Sequence, residues 1–294
     1  KLTLINTCHN SVAPLGENPR SGNGIRNVMT DAATALEIRE VSKTYGSMRA
    51  IETVNLTVGK GEMVALIGPS GSGKSTLLRC ATGLVVADPS SGPIHIFGDK
   101  VQEAGKLSPK VRRARSRVGF IFQQFNLVRR ISLYKNVLLG ALGRMPTLKG
   151  AMGRFTTEDR RKAMEALERV GVKDHAGKRA SDLSGGQQQR GAIARAMVQG
   201  AQAIFADEPI ASLDPVSARR VMRLLHDLNR EDGITVVVTL HQVDYAMKYC
   251  DRAVALKAGQ IIYDGPIGGL GRDRLIEIYG DEYRDVIDED GVPA

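Results

Sequence analysis

Cysteine and aromatic residues are scarce in this sequence. The 294 residues include three cysteines (Cys8, Cys80 and Cys250), no tryptophan and only 4% aromatic residues. An odd number of cysteines without metal-ligand spacing argues against a disulfide framework or a zinc site and predicts a reducing compartment. Few aromatic side chains and no recognised nucleic-acid-binding motif argue against nucleic acid as a partner.

Long apolar stretches are also missing. Uninterrupted apolar runs such as residues 236–238 fall far short of the roughly 20 residues that span a bilayer. The N-terminus does not carry a basic segment followed by an apolar one, which is the pattern of a secretory signal. These absences predict a cytoplasmic protein that does not cross a membrane by itself.

Charge is unevenly distributed along a chain whose net charge is +9. Residues 100–162 contain sixteen Lys or Arg against three acids, whereas residues 273–290 contain eight acids against two arginines. The basic stretch either faces anionic lipid or an acidic partner, or is simply a solvated helical surface. For the acidic tail we expect a solvated helix.

Sequence patterns divide the chain into three parts. Residues 1–35 are rich in Asn, Ser, Gly and Pro without sustained periodicity, which predicts a flexible extension. Residues 36–266 alternate strand and helix patterns, with a mostly helical insertion at about 124–198. This alternation predicts an α/β fold whose parallel sheet is covered on both faces. Residues 267–294 form the acidic tail.

A phosphate-binding loop is predicted at GPSGSGKS, between an apolar strand and a helix with an apolar face. The stretch satisfies G-x-x-x-x-G-K-[ST], in which glycines let backbone amides wrap phosphates, lysine neutralises their charge and serine ligates Mg²⁺. The predicted nucleotide-binding residues of the loop are Gly68, Pro69, Ser70, Gly71, Ser72, Gly73, Lys74, Ser75 and Thr76.

Two acidic residues and a histidine follow apolar strands further along the chain. Asp207 and Glu208 end the strand in AIFADEP, where one carboxylate can hold the metal and the next can polarise an attacking water. His241 ends the following strand and is expected to emerge beside Glu208, near the γ-phosphate. The remaining histidines, which lack such a context and receive no role, are His9, His95, His175 and His226.

Three weaker features leave alternatives open. Tyr45 either stacks on an adenine ring or fills a small β region, and Gln123 either reaches the metal and the water or caps its strand. Residues 212–214 either belong to the site or form the N-cap of a helix with Pro215 in its first turn.

A second anion site is indicated by SDLSGGQ, residues 181–187. Small and apolar residues at helical spacing follow it, which places a helix N-terminus at Gly185 and Gly186. Unpaired amides and the positive end of the helix dipole attract anions there. The chain therefore carries two predicted phosphate sites.

Together these motifs resemble the ATP-binding subunits of ABC transporters over about residues 36–266, and LSGGQ at 183–187 is the family signature. The resemblance implies a P-loop NTPase (RecA-like) parallel-sheet core with a small antiparallel β subdomain and a helical insertion subdomain. It also implies that two copies meet head to tail around two ATP and Mg²⁺. Each signature then faces the nucleotide bound by the other copy.

The same resemblance implies a role for each motif. The expected catalytic residues are Glu208, His241 and Gln123. The expected Mg²⁺ ligands are Ser75, Gln123 and Asp207. The expected nucleotide contacts outside the phosphate-binding loop are Tyr45, Ser184, Gly185, Gly186, Gln187 and Asp214.

Longer stretches, among them ADEPIASLDP and LHQVDYAMKYCDR, are similar to the ATPase subunits of phosphonate importers. This resemblance implies uptake of phosphonates or of related oxyanions such as phosphite or phosphate. It implies membrane permease partners, an extracytoplasmic substrate-binding protein acting indirectly, and a peripheral position on the cytoplasmic face of the inner membrane. Another class stays open, namely a soluble ABC-type ATPase docked on a cytoplasmic phosphonate-processing enzyme complex.

Overall fold

The computed structural model of the chain describes residues 33–145, 150 and 152–280. The first strand begins at Thr34, two residues before the boundary expected at Leu36. Residues 1–32 of the expected flexible extension and residues 281–294 of the acidic tail lie outside the described part.

Within the described residues, the central sheet has the strand order β11-β10-β3-β9-β8-β7. Its strands are β3 (Met63–Ile67), β7 (Val118–Ile121), β8 (Ala203–Ala206), β9 (Thr235–Thr239), β10 (Arg252–Lys257) and β11 (Gln260–Pro266). Neighbouring strands from β10 to β7 run parallel, and β11 is antiparallel at the edge. Continuous apolar runs suit such strands because both of their faces are buried.

A second, antiparallel sheet has the order β2-β1-β4-β5-β6. It comprises β1 (Thr34–Tyr45), β2 (Met48–Gly59), β4 (Ile94–Ile96), β5 (Asp99–Glu103) and β6 (Lys106–Leu107). The hairpin of β1 and β2 places Tyr45 opposite Met48 at its turn. The predicted fold class, a parallel-sheet α/β core with a small antiparallel β subdomain, is confirmed.

Helices cover the central sheet and form the insertion. They are α1 (Lys74–Ala81), α2 (Val111–Ser116), α3 (Leu133–Leu138), α4 (Thr157–Arg169), α5 (Gly185–Gln199), α6 (Pro215–Asp232), α7 (Val243–Tyr249) and α8 (Arg272–Tyr279). Short 3₁₀ segments lie at Leu139–Arg144, Lys173–His175, Ala180–Asp182 and Ile267–Gly269. Because α3 and α4 pack against α5, the helical part expected at about 124–198 extends from Leu133 to Gln199.

Alternate residues of β3 enter two separate hydrophobic cores. Met63, Ala65 and Ile67 pack with the helices on one face. Val64 and Leu66 pack with α1 and the antiparallel sheet on the other. The central sheet is thus covered on both faces, as predicted.

The expectation of a solvated helix in the acidic tail is wrong for its described part. Leu270, Leu275 and Ile278 are buried and belong to the core that contains most of the helices. The Lys257 ammonium also donates to the carbonyl oxygen of Glu277 at 2.5 Å. Apolar residues on one face of α8 therefore decide its position, while its acids remain on the opposite face.

In the part of the chain that the structure describes, none of the helices is both long and apolar enough to span a bilayer. Cys80 and Cys250 are free and buried, and burial raises the pKa of each thiol to about 12. Both thiols therefore stay protonated at neutral pH and react slowly. Cys8 lies outside the described residues.

Candidate active site

The loop between β3 and α1 depends on glycine at both ends. Gly68 (φ +135°) and Gly73 (φ +103°) adopt conformations that residues with side chains rarely reach. A Cβ at Gly68 would lie 2.0 Å from the carbonyl oxygen of Leu256, and one at Gly73 would lie 2.3 Å from that of Ala50. These glycines let the loop pack closely against the neighbouring strands β2 and β10.

Lys74, the first residue of α1, is 4% exposed. Its Nζ donates to the carbonyl oxygens of Gly68 (2.7 Å) and Pro69 (2.9 Å). Burial lowers the pKa of Lys74, and the nearby carboxylates of Glu208 and Asp207 oppose that shift. The loop thus holds an ammonium group where phosphate oxygens can pair with it.

Helix α8 also supports the loop. The backbone N–H of Gly68 donates to Tyr279 Oη at 3.1 Å. The last residue of α8 therefore contacts the first residue of the loop, across 211 positions of sequence. Part of the tail that was expected to be solvated is in fact a neighbour of the predicted phosphate site.

Glu208 and His241 meet at the same edge of the central sheet, because β8 and β9 are neighbouring parallel strands. Glu208 Oε1 lies 2.6 Å from His241 Nε2. Glu208 has φ +51°, an uncommon conformation for a residue with a side chain, and such residues concentrate at functional sites. The structure places His241 beside Glu208, as the strand order predicts.

Two residues outside the predicted motifs hold Asp207. Thr239 in β9 donates from Oγ1 to Asp207 Oδ1 (3.3 Å) and accepts the backbone N–H of Glu208 (2.7 Å). Arg79 on α1 donates from Nη2 to Asp207 Oδ2 (2.9 Å). Since the Asp207 side chain is only 2% exposed, its charge needs this guanidinium as a partner.

A pocket of about 190 Å³ brings many of the predicted nucleotide contacts together. It is lined by Tyr45, Met48, Ala50, residues 70–76, Glu208 and His241. Tyr45 is partly exposed, and the Lys43 ammonium lies 5.2 Å from its ring centre. An aromatic ring and the exposed Met48 thus offer apolar surface to a base beside the phosphate-binding loop.

The residues expected to hold Mg²⁺ suit an ion that takes most of its ligands from phosphates and water and only a few from the protein. Asp207 offers a buried carboxylate and Ser75 a hydroxyl, and both are hard oxygen ligands. Over the described ranges, no group of three or more His, Cys, Asp or Glu could hold a metal ion. Mg²⁺ does not require such a group, because it completes its shell with phosphates and water.

Several predicted residues do not line this pocket, namely Gly68, Pro69, Gln123, Asp207 and Asp214. Gln123 is exposed, two residues beyond the end of β7. Asp214 is the N-cap of α6, and its carboxylate accepts the N–H groups of Ser217 and Val216, each at 3.0 Å. Hydrogen bonds from Ser217 and then Val216 lower the pKa of Asp214. Asp214 thus forms the expected N-cap, with Pro215 in the first turn of the helix.

The signature forms the start of α5 and does not line the pocket either. Ser184 is the N-cap: its Oγ accepts the N–H of Gln187 (3.3 Å), while Gln187 Oε1 accepts the N–H of Ser184 (3.0 Å). A Cβ at Gly186 would lie 2.7 Å from Ser217 Oγ, so glycine lets α5 approach α6. The two predicted phosphate sites therefore do not meet within one subunit.

Comparisons with known proteins show the family of this chain. The family described as ABC transporter matches residues 51–211. The chain belongs to the ABC transporter family. It is accordingly an ABC-type ATPase, a nucleotide-binding enzyme of the P-loop fold.

Relatives and a solved structure extend the likeness of this ABC ATPase. Proteins named phosphonates import ATP-binding protein PhnC from Maricaulis maris and Caulobacter vibrioides are 64% and 62% identical to it, over 87% and 88% of this chain and 97% of each relative. A dimeric ATP-binding cassette in a post-hydrolysis state, bound to ADP and Pi, is 34% identical with a TM-score of 0.67. That match covers 80% of this chain and 100% of the cassette.

Replacing Arg79 by Met is expected to lower the free energy of unfolding of the nucleotide-free ABC ATPase by about 2 kcal/mol, because it leaves the Asp207 carboxylate buried without its cation. The Arg79 side chain is 46% exposed, so the loss is smaller than for a fully buried pair. Urea unfolding measures the difference. Arg39→Met is the matched control: Arg39 pairs with Glu37 at the surface, and its loss should cost less than about 1 kcal/mol. Equal losses in both variants would contradict the role given to Arg79.

Proposed function

We propose that the chain is the ATP-hydrolysing subunit of an ABC importer for phosphonates or related phosphorus oxyanions such as phosphite or phosphate. The observation that carries the proposal is the 64% identity, over 255 residues, to a protein named for phosphonates import. Because the alignment covers 97% of that relative, the likeness extends well beyond the nucleotide-binding motifs. The relatives' names favour import over a soluble ATPase docked on phosphonate-processing enzymes.

Two copies of the chain bind head to tail around two ATP molecules. The phosphate-binding loop and the signature lie apart in one subunit, so a second copy is needed to bring a signature to each nucleotide. The dimeric arrangement of the solved cassette supports this proposal. ATP then stabilises the dimer and hydrolysis releases it, which provides the two states of a transport cycle.

Binding of the nucleotide uses the loop and its surroundings. The loop amides and Lys74 bind the phosphates, and Tyr45 stacks on the adenine. When bound, Mg²⁺ would be held by Ser75, Asp207 and Gln123 and would supply positive charge to the phosphates. The Asp207 carboxylate and the Ser75 hydroxyl are the kind of oxygen ligands that this ion prefers.

Hydrolysis uses the carboxylate next to that site. Glu208 takes a proton from the attacking water, the water oxygen bonds to the γ-phosphorus, and the bond to the bridging oxygen breaks so that ADP leaves. His241 stabilises the transferring phosphoryl group, and its contact with Glu208 at 2.6 Å supports this role. The site is completed by three residues from the other copy: Ser184 of the partner subunit, Gly186 of the partner subunit and Asp214 of the partner subunit.

The cleft between β7 and the helical insertion is proposed as the docking site of a permease. It has a volume of about 440 Å³, and its walls include Phe120, Phe122, Leu139, Arg112 and Arg195. Apolar side chains bordered by arginines suit a short amphipathic helix. The ATPase would then lie on the cytoplasmic face of the inner membrane, and an extracytoplasmic substrate-binding protein would deliver the cargo to the permease from the other side. Nucleic acid is not among the proposed partners.

Isolation of the tagged chain from native membranes, followed by mass spectrometry, tests the proposal. Recovery of a polytopic permease supports an importer, provided that Glu208→Gln also abolishes growth on a phosphonate as sole phosphorus source. Phosphite and phosphate serve as alternative cargo in the same growth assay. Recovery of soluble enzymes alone, with uptake unchanged in the variant, would contradict import and leave the ATPase activity unaffected.

A further inference from the structure

His175 contacts the signature, although its sequence context assigned it no role. It ends the 3₁₀ segment Lys173–His175, and its Nε2 lies 2.8 Å from Nε2 of Gln187. The other end of the same amide, Gln187 Oε1, accepts the backbone N–H of Ser184 at 3.0 Å. The Gln187 side chain thus connects His175 to the N-cap of α5.

These contacts fix the orientation of both side chains. The backbone N–H of Ser184 can only donate, so the amide oxygen of Gln187 faces it and the amide NH₂ faces His175. An NH₂ group also only donates, so Nε2 of His175 is the acceptor. The proton of the neutral ring therefore lies on Nδ1.

The segment that carries the histidine is anchored to α3. The carbonyl oxygens of Ala176 and Lys178 accept the N–H groups of Tyr134 (2.9 Å) and Leu133 (2.8 Å), at the start of that helix. His175 Nδ1, by contrast, is buried without a hydrogen-bond partner among the described residues. Because a buried polar atom without a partner lowers stability, and an apolar residue would avoid that loss, stability alone does not explain a histidine here.

We propose that His175 is a positioning residue for the signature. It holds Gln187 in the orientation that caps α5, so that Ser184 and the amides of Gly185 and Gly186 are already ordered when they meet the partner's nucleotide. This inference rests on the proposed head-to-tail dimer. Groups that are ordered in advance bind a phosphate without a further loss of entropy. Loss of the histidine contact therefore weakens the dimer at both of its nucleotide sites.

Three substitutions separate the contact from the fold. His175→Gln places a side-chain oxygen about as far from the backbone as Nε2, so it keeps an acceptor for Gln187. His175→Asn also carries an amide, but its side chain is one carbon shorter than that of Gln and does not reach Gln187. His175→Leu removes every acceptor. Each substitution is made in the Glu208→Gln chain, in which ATP-bound dimers persist long enough to measure.

Analytical ultracentrifugation with ATP measures the dissociation constant of the dimer. We expect His175→Leu and His175→Asn to raise it about 10- to 30-fold, because one hydrogen bond is lost at each of two sites. His175→Gln should stay within about threefold of its parent. The affinity of the dilute monomer for ATP should be the same in all variants, because the phosphate-binding loop belongs to another part of the subunit.

Amide hydrogen exchange in the monomer gives a second readout. The amides of Ser184 and Gln187 should exchange faster in the Leu and Asn variants and at the parent rate in the Gln variant. Equal dimerisation in all three variants, or equal weakening by Gln and Asn, would overturn the role of His175. If the parent forms no ATP-dependent dimer, the head-to-tail arrangement itself fails. Exchange at the two amides then decides independently whether His175 holds the cap.

Discussion

Glu208→Gln is expected to slow ATP hydrolysis about 100- to 10,000-fold while leaving ATP binding intact. The substitution keeps the shape of the side chain but replaces the carboxylate by an amide, which cannot take a proton from water. Glu208 is held by His241 at 2.6 Å, and its side chain is 18% exposed, so water can reach it. If hydrolysis separates the two copies, as proposed, the ATP-bound dimer should accumulate.

Phosphate release at saturating Mg-ATP measures the rate, and size-exclusion chromatography with ATP measures the dimer. Glu165→Gln is the matched control, because Glu165 is exposed on α4 and does not line the pocket. Hydrolysis at the normal rate in Glu208→Gln would show that the base assignment is wrong. Slow hydrolysis without accumulation of a dimer would support Glu208 as the base but contradict the proposal that ATP stabilises a dimer.

Lys74→Ala is expected to weaken ATP binding about 10- to 100-fold, which is the effect of losing hydrogen bonds between charged groups. The Lys74 ammonium is buried at the loop and bonded to the carbonyl oxygens of Gly68 and Pro69. It is therefore already in place to pair with phosphate oxygens. Its removal also leaves those two carbonyl groups without their donor, so the loop becomes less ordered.

Titration with a fluorescent ATP analogue measures the affinity of the Lys74→Ala variant. Lys106→Ala removes the same charge from an exposed position on β6 and should bind as the parent does. Thermal unfolding of both variants shows whether weaker binding comes from the lost contact or from unfolding of the protein. Retained tight binding in Lys74→Ala would mean that the phosphate site lies elsewhere.

The central fold was predictable because its strands are apolar runs that end at chemically distinctive residues. MVALI, AIFA and TVVVT became β3, β8 and β9, which lie near one another in the sheet. Parallel strands end at a common edge, so the residues that follow them come together. This is why the position of His241 beside Glu208 could be predicted without knowledge of the structure.

Residues that hold the motif side chains were harder to predict, because sequence motifs mark ligand contacts rather than their supports. Arg79 and Asp207 are 128 positions apart. Arg79 nevertheless follows Ser75 by four residues, which is about one helical turn. Thr239 precedes His241 by two residues, the repeat of a strand. Both spacings place the supporting residue on the same face as a motif residue, which a search for known motifs alone does not detect.

Composition was a poor guide to the described part of the acidic tail. The tail was expected to be solvated because of its charge, yet Leu275 and Ile278 bury one face of α8. His175 carries no signal of this kind in the sequence, because it does not follow an apolar strand as His241 does. Its partner, Gln187, is twelve positions away and comes within reach only when the segment after α4 packs beside α5.

The hydrogen bond between the Gly68 amide and the Tyr279 hydroxyl can form only late in the synthesis of the chain, because its two residues are 211 positions apart. A ribosome adding about 5–20 residues per second needs about 10–40 s to travel the distance between these two residues. Once residue 75 has been added, the nascent chain contains the complete phosphate-binding motif, but the first amide of the loop still lacks the hydroxyl that accepts its hydrogen bond in the folded protein. A chain released between residues 266 and 278 would keep every motif named above and lack the hydroxyl that accepts this hydrogen bond.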